Sequence, residues 1–246
     1  MKIAAISDIH GNLGALDAVL VDIGRRGVDL LVNLGDILSG PLLPRETADR
    51  LMALDLPTIG GNHERQLLDR DRDRMGPSDR FAADAITAAQ RQWLAALPAT
   101  LWAAEDVFLC HATPQSDVAC FLEDIRDGEL IPAPLAQIEE RTRPCDAPLI
   151  FCGHTHIPRV AHLTSGQIIV NPGSVGIQAY QGHHPVPHVV EIGSPHARYA
   201  IAERAADGWI TQLIAVPYDW QSAAAVAGGN SSPVWAHALR TGFLKS

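Results

Sequence analysis

The side chains of this sequence that could do chemistry fall in five short polar clusters, each placed directly after an apolar run: Ser7-Asp8-Ile9-His10-Gly11-Asn12, Gly35-Asp36, Gly60-Gly61-Asn62-His63-Glu64, His111 and Gly153-His154-Thr155-His156. Carboxylates, imidazoles and side-chain amides make up the clusters, without a thiolate. That donor mixture suits hard or borderline divalent ions such as Mn, Fe, Zn or Ni, whereas a structural zinc site would draw on cysteine. Taken singly, each residue has a plainer reading. An aspartate after a strand is commonly a turn or cap residue, Asn62 would cap the helix that follows, and His111 alone would be a hydrogen-bonded histidine at a strand end. The His154-Thr155-His156 triplet points to metal more directly, and the joint occurrence of all five clusters makes a metal centre the better reading. In an extended segment the i and i+2 side chains point the same way, so Asp8 with His10, and His154 with His156, are expected to reach a common centre.

The elements that must position these clusters read as strand-to-helix units. Residues 2–7 form the first strand, and Leu13, Leu16, Val19, Leu20 and Ile23 then recur three and four apart, predicting a helix that Gly27 ends. The pattern further predicts strands over 29–34, 57–60, 107–110 and 149–152, a helix over 45–54, and two helices within 64–97 that break at Gly76-Pro77. Beyond Ile157, runs over 159–163, 167–171, 186–192, 198–204 and 209–216 alternate with turns and predict a second sheet built mostly from hairpins. A helical tail in two pieces is expected from about Asp219. Because the polar clusters extend from Asp8 to His156, a cut within that span would divide the site, so residues 1–246 are read as one layered α/β domain with its ligands at the carboxyl ends of strands.

The ordered series Asp8-x-His10, Gly35-Asp36, Gly61-Asn62-His63-Glu64, His111 and Gly153-His154-x-His156 resembles the calcineurin-like metallophosphoesterase superfamily. It is most similar to the compact bacterial and archaeal phosphoesterases, with Asp8-Ile9-His10-Gly11-Asn12 opening the chain and Asn171-Pro172-Gly173-Ser174-Val175-Gly176 after the last ligands. The resemblance implies a double-sheet αββα sandwich and a dinuclear centre. Asp8, His10 and His156 would hold one metal ion, Asn62, His111 and His154 the other, and Asp36 would bridge them. A hydroxide shared by the ions would attack phosphorus, and His63 would protonate or stabilise the leaving oxygen. The implied activity is hydrolysis of small phosphate esters, a phosphodiesterase first, with phosphomonoesterase or dinucleoside-polyphosphate hydrolase as alternatives. Phosphoprotein phosphatases carry Asp-Arg-Gly shortly after the bridging aspartate. Ser39, Gly40 and Pro41 stand there instead, so both the phosphate-binding arginine and the aspartate that supports the catalytic histidine are missing from those positions. A non-enzymatic scaffold is disfavoured because every ligand position and His63 are filled. Asn12 and Ser174 are read as lining the pocket, with capping and turn formation as the competing account, and His183, His184 and His188 as exposed loop histidines or a substrate rim.

The bulk numbers bound the partners. Of 246 residues 47% are hydrophobic and 19% charged, which is a soluble globular composition. A net charge of −9 repels a long polyanion, so a stable nucleic-acid partner is not expected, although bound metals would supply local positive charge for a small phosphorylated substrate. Cys110, Cys120, Cys145 and Cys152 form no C-x-x-C pair and read as reduced thiols, Cys110 as a buried apolar residue. Met1 leads straight into a strand-like run, and the long stretch free of Asp, Glu, Lys and Arg over 160–190 is broken by Gly and Pro, so neither a leader nor a membrane span is expected and the cytoplasm is the expected location.

Overall fold

A computed structural model describes residues 1–244 of the chain. In β1 (Lys2–Ile6) alternate residues serve opposite cores: Ile3 and Ala5 face one way, Ala4 and Ile6 the other. The chain then forms α1 (Leu13–Arg26), whose first turn is capped by the Asn12 side chain accepting from Ala15 N at 3.2 Å. β2 (Leu30–Asn33) follows, parallel to β1, and α2 (Pro44–Leu54) starts with proline where no N–H is needed. The strand expected over 57–60 shrinks to one bridge between Thr58 and Asn33. Gly60 N donates instead to Pro98 O, and the chain leaves the sheet at Gly60-Gly61. Three helices replace the two expected over 64–97: α3 (Asn62–Asp69), α4 (Pro77–Ala85) and α5 (Ala88–Ala95). The extra break comes from a capping box in which Thr87 and Gln90 satisfy each other's backbone N–H and start α5 afresh.

Then come β3 (Thr100–Ala104), β4 (Val107–Cys110), the hairpin β5 (Glu123–Arg126) and β6 (Glu129–Pro132), α6 (Leu135–Thr142) and β7 (Leu149–Phe151). β8 (Arg159–His162), β9 (Ile168–Asn171), β10 (Ala179–Gly182), β11 (His188–Glu191), β12 (Ala197–Ala205) and β13 (Gly208–Val216) lead to the terminal helices α7 (Trp220–Gly229) and α8 (Pro233–Thr241).

The late strands do not make a sheet of their own, contrary to the sequence expectation. β12 and β13 extend the first sheet, in the order β13-β12-β1-β2, while β8 and β9 extend the second, β3-β4-β7-β9-β8. β10 and β11 join β5 and β6 in a third, small sheet. Hairpin patterning sets local pairing but not which central strand a hairpin docks on, and β1 and β7 each had an open edge to offer. The two large sheets face each other through Ile3, Ala5, Val32, Val107, Leu109, Phe151 and Val170. Helices α1, α2, α4 and α5 cover the outer face of the first sheet, and α6 with Phe121 and Leu122 covers that of the second, giving an αββα sandwich. Truncating a fully buried side chain such as Phe151 to Ala would cost about 3–5 kcal/mol. Among the described residues no helix is long and apolar enough to cross a membrane. All four cysteines are free, with Cys110 and Cys152 buried.

Candidate metal centre

The polar clusters sit where β1, β2, β4 and β7 end, and the backbone there is held in an uncommon conformation. Asp8, His10, Asp36, His154 and His156 all have left-handed φ, between 51° and 70°. A non-glycine residue in that region costs about 1–3 kcal/mol and persists only where its surroundings force it. The i, i+2 pairs therefore reach the site from turned backbone and not from the extended segments expected. Asp8 and His10 stay together, but the other pair divides: His156 joins Asp8 and His10, while His154 joins Asp36 and His111, the ligand atoms of each trio lying within 4.8 Å of one another. Glu64, to which the sequence assigns no role, ties two of the loops together. Its buried carboxylate accepts N–H bonds from Asp36 and Ile37 at 2.8 Å and from Gly61 at 2.9 Å.

Each histidine of the two trios has one ring nitrogen committed to a backbone carbonyl. His10 Nδ1 donates to Ser39 O at 2.7 Å, His111 Nδ1 to Leu34 O at 2.8 Å, His156 Nδ1 to Ile177 O at 2.9 Å and His154 Nε2 to Val118 O at 3.1 Å. These bonds fix the tautomer, so the other nitrogen turns a lone pair to the centre, the arrangement found around metal-ligating imidazoles. The lone pairs then crowd one another: Nε2 of His10 and Nε2 of His156 are 3.2 Å apart, and buried Asp8 Oδ1, 3.2 Å from His156 Nε2, has no hydrogen-bond partner. The amide atom of Asn62 that faces the second trio is 3.2 Å from His111 Nε2 and 2.9 Å from His154 Nδ1. As nitrogen it donates to two lone pairs; as oxygen it accepts from a protonated His111 Nε2 or faces a bound cation. The donor set thus fits one divalent ion per trio, with Asn62 completing the second.

Electrostatics agree with a cation-seeking site. Burial opposes charge on Asp36, yet His111 and His63 hold its carboxyl well below the usual range. Burial, then the neighbouring His156, lowers His10 to about 4, and burial with His111 does the same to His154. His111 goes the other way: burial disfavours its charge, but Asp36 raises it to about 10, so in the metal-free protein a proton occupies the place of a cation.

His63 stands beside the trios, its backbone N donating to Asp36 Oδ1 at 2.9 Å and its Nδ1 donating to Asp79 Oδ1 at 2.6 Å. Asp79 lies on α4 and is nearly fully buried. The aspartate missing after Asp36 is therefore supplied from a different helix. Burial works against an imidazolium here, but Asp36 and Asp79 raise His63 to about 9, which keeps it protonated with Nε2 free toward the cavity.

Residues 1–192 match the calcineurin-like phosphoesterase superfamily domain. The chain belongs to that superfamily. It is a metal-dependent phosphoesterase. Among solved structures, a metallophosphoesterase from Sphaerobacter thermophilus aligns with a TM-score of 0.76 and 26% identity, over 98% of this chain and 99% of that one. A hypothetical protein from Pyrococcus horikoshii shares the fold, with a TM-score of 0.75, 19% identity and 98% of each chain covered. An uncharacterized protein of Methanocaldococcus jannaschii is 29% identical over 205 residues, 71% of this chain and 76% of that one.

In this phosphoesterase the cavity before the trios is lined by His10, Asp36, Asn62, His63, His154 and His156. Asn12 and Ser174, read from sequence as pocket residues, lie beneath it. Asn12 caps α1 and donates from Nδ2 to Gly176 O at 2.8 Å, while Ser174 Oγ donates to Asp8 O at 2.8 Å and accepts from Ile177 N. His183 and His184 are exposed, but His188 is buried in β11 with Nδ1 bonded to Val186 O. The cavity lining also includes Tyr180 and Trp235, for which the sequence carried no motif.

Proposed function

We propose that the chain is a dinuclear phosphodiesterase, with Asp8, His10 and His156 holding one divalent ion, Asn62, His111 and His154 the other, and Asp36 shared between them. The observation that carries this reading is the convergence of two adjacent sets of buried lone pairs beside a histidine held for proton transfer. Lewis acidity toward water and the phosphate oxygens is what the ions supply when bound. The chain's own contribution begins with exclusion of bulk water from the buried ligand loops. His63, oriented through Nδ1 by Asp79, delivers a proton from Nε2 to the oxygen of the departing alcohol, and the Asp79 carboxylate stabilises the imidazolium that carries it. Preference for a diester is supported by the absence of Lys or Arg from the cavity lining among the described residues. A monoester dianion calls for a guanidinium or ammonium clamp, whereas a diester brings one negative charge and a second organic arm. The test compares bis-p-nitrophenyl phosphate with p-nitrophenyl phosphate under added Mn, Ni, Zn, Mg or Fe. Faster turnover of the diester is expected; faster turnover of the monoester would make the protein a phosphomonoesterase, and inactivity with every metal would sink the diester reading.

A further inference from the structure

The cavity in front of the metal trios measures about 360 Å³, space for a small organic group and not for phosphate alone. Beside the residues of the trios, much of its lining is apolar and aromatic: Ile177, Tyr180, Val234, Trp235, Ala238 and Leu244. Two rings in that wall are placed alike. Tyr180 leans over His156 with centroids 4.6 Å apart, and Trp235 meets His10 edge-on at 6.1 Å. Both therefore flank the same ion trio, that of Asp8, His10 and His156.

The position of Trp235 is built and not incidental. α8 docks through Ala236, Ala238 and Leu239 onto Leu42, Ile177 and Ala179. Asn230, in the turn before it, donates to Pro41 O at 3.0 Å. A β-carbon at Gly40 would first strike the carbonyl oxygen of His10, and it would also stand 3.0 Å from Trp235 Cη2, so the indole packs directly against this glycine. The indole of α8 and the Ser39-Gly40-Pro41 loop are thus in direct contact.

We propose that Trp235 and Tyr180 form an aromatic subsite that receives the planar ring of one ester arm, an aryl group or a nucleobase, of a substrate whose phosphate is held at the metal centre. The assignment rests on the phosphodiesterase reading and names the substrate arm that reading leaves open. Charge supports it: among the described residues the cavity lining holds no Lys or Arg, so a second phosphate or a sugar acid finds no side-chain cation there, while a ring stacks on either face without regard to sequence or charge.

Non-hydrolysable probes isolate the subsite from turnover. Calorimetric titration of the Mn-loaded protein is expected to show phenylphosphonate binding about 10- to 100-fold more tightly than methylphosphonate, the range set by one stacked ring. Trp235→Leu, which keeps apolar bulk on α8 but no ring, should close most of that gap, and Trp235→Phe should retain it. The methylenephosphonate analogue of thymidine 5′-phosphate binding more tightly than phenylphosphonate marks a nucleobase as the occupant, and weaker binding marks a simple aryl group; either outcome upholds the subsite. Equal affinity for the phenyl and methyl probes, or a gap that survives Trp235→Leu, overturns it. A protein that shows the gap yet fails to cleave bis-p-nitrophenyl phosphate keeps the subsite and loses the diesterase reading.

Discussion

His63 and Asp79 divide the labour that a single motif does elsewhere in sequence. His63→Ala should lower kcat by about 10²–10⁴-fold while leaving metal content intact, because the proton donor goes and the ligands stay; loss of metal, measured by elemental analysis, would make His63 a ligand instead. Asp79→Asn removes one of the charges that raise His63 to about 9 from its ordinary 6.5. The His63 pKa should fall, moving the basic limb of the kcat profile to lower pH, and NMR titration of the metal-free protein should show the same shift. The sign for stability follows: the raised pKa means the pair stabilises the metal-free fold fully below about pH 6.5, and that contribution is lost as pH rises through about 9. The residues that converge in the two trios were legible as candidates because each sits in a polar cluster after an apolar run. Asp79 was not, since an aspartate in the first turn of α4 has an ordinary explanation in the helix dipole. Tyr180 in a short strand and Trp235 on an amphipathic helix were equally anonymous.

Strand ends and helix starts set the geometry within which those residues act. Gly61 sits between the bridge at Thr58 and α3, and a β-carbon there would strike Asp36 and the His111 ring. Gly61→Ala should therefore cost about 1–3 kcal/mol by overpacking and reduce metal stoichiometry below that of the wild type, measurable by thermal melts and elemental analysis on one preparation. Strands with strong apolar runs, such as β1, β4 and β7, were readable in sequence. β5 and β6 were not, because Glu123, Asp124, Arg126 and Glu129 mask a hairpin whose turn, Asp127-Gly128, is nonetheless of the kind that takes positive φ at both positions. The over-reading at 57–60 has the opposite origin: an apolar run was present, but its neighbour beyond Asn33 had already turned away to place Asp36.

For the molecule as a whole, the site is a concentration of buried unpaired acceptors and backbone strain that cations offset. Removing metal with a chelator should lower Tm, and restoring Mn at about a hundredfold its Kd should return roughly 2.7 kcal/mol per site. In a chain of 246 residues each kcal/mol moves Tm by about 2–4 °C, so the gap between chelated and loaded protein should exceed about 5 °C. A scan showing no difference would count against ion binding at these trios. A layered α/β domain was foreseeable from the early crossover units and the late hairpins, and the αββα sandwich from the family resemblance, while the third sheet and the docking of β12 on β1 depend on contacts between segments far apart in sequence that no local pattern records.

That last pairing has a temporal side. β1 is completed on one edge by β2 soon after it is made, but its other edge waits for β12, in the register Lys2 with Glu203. At about 5–20 residues per second the wait on the ribosome is on the order of ten seconds or more. Throughout it the nascent strand keeps an open edge, and the loop that carries Asp8 and His10 lacks the sheet that braces it. Until β12 arrives, the shielding of that edge falls to whatever meets the polypeptide as it emerges.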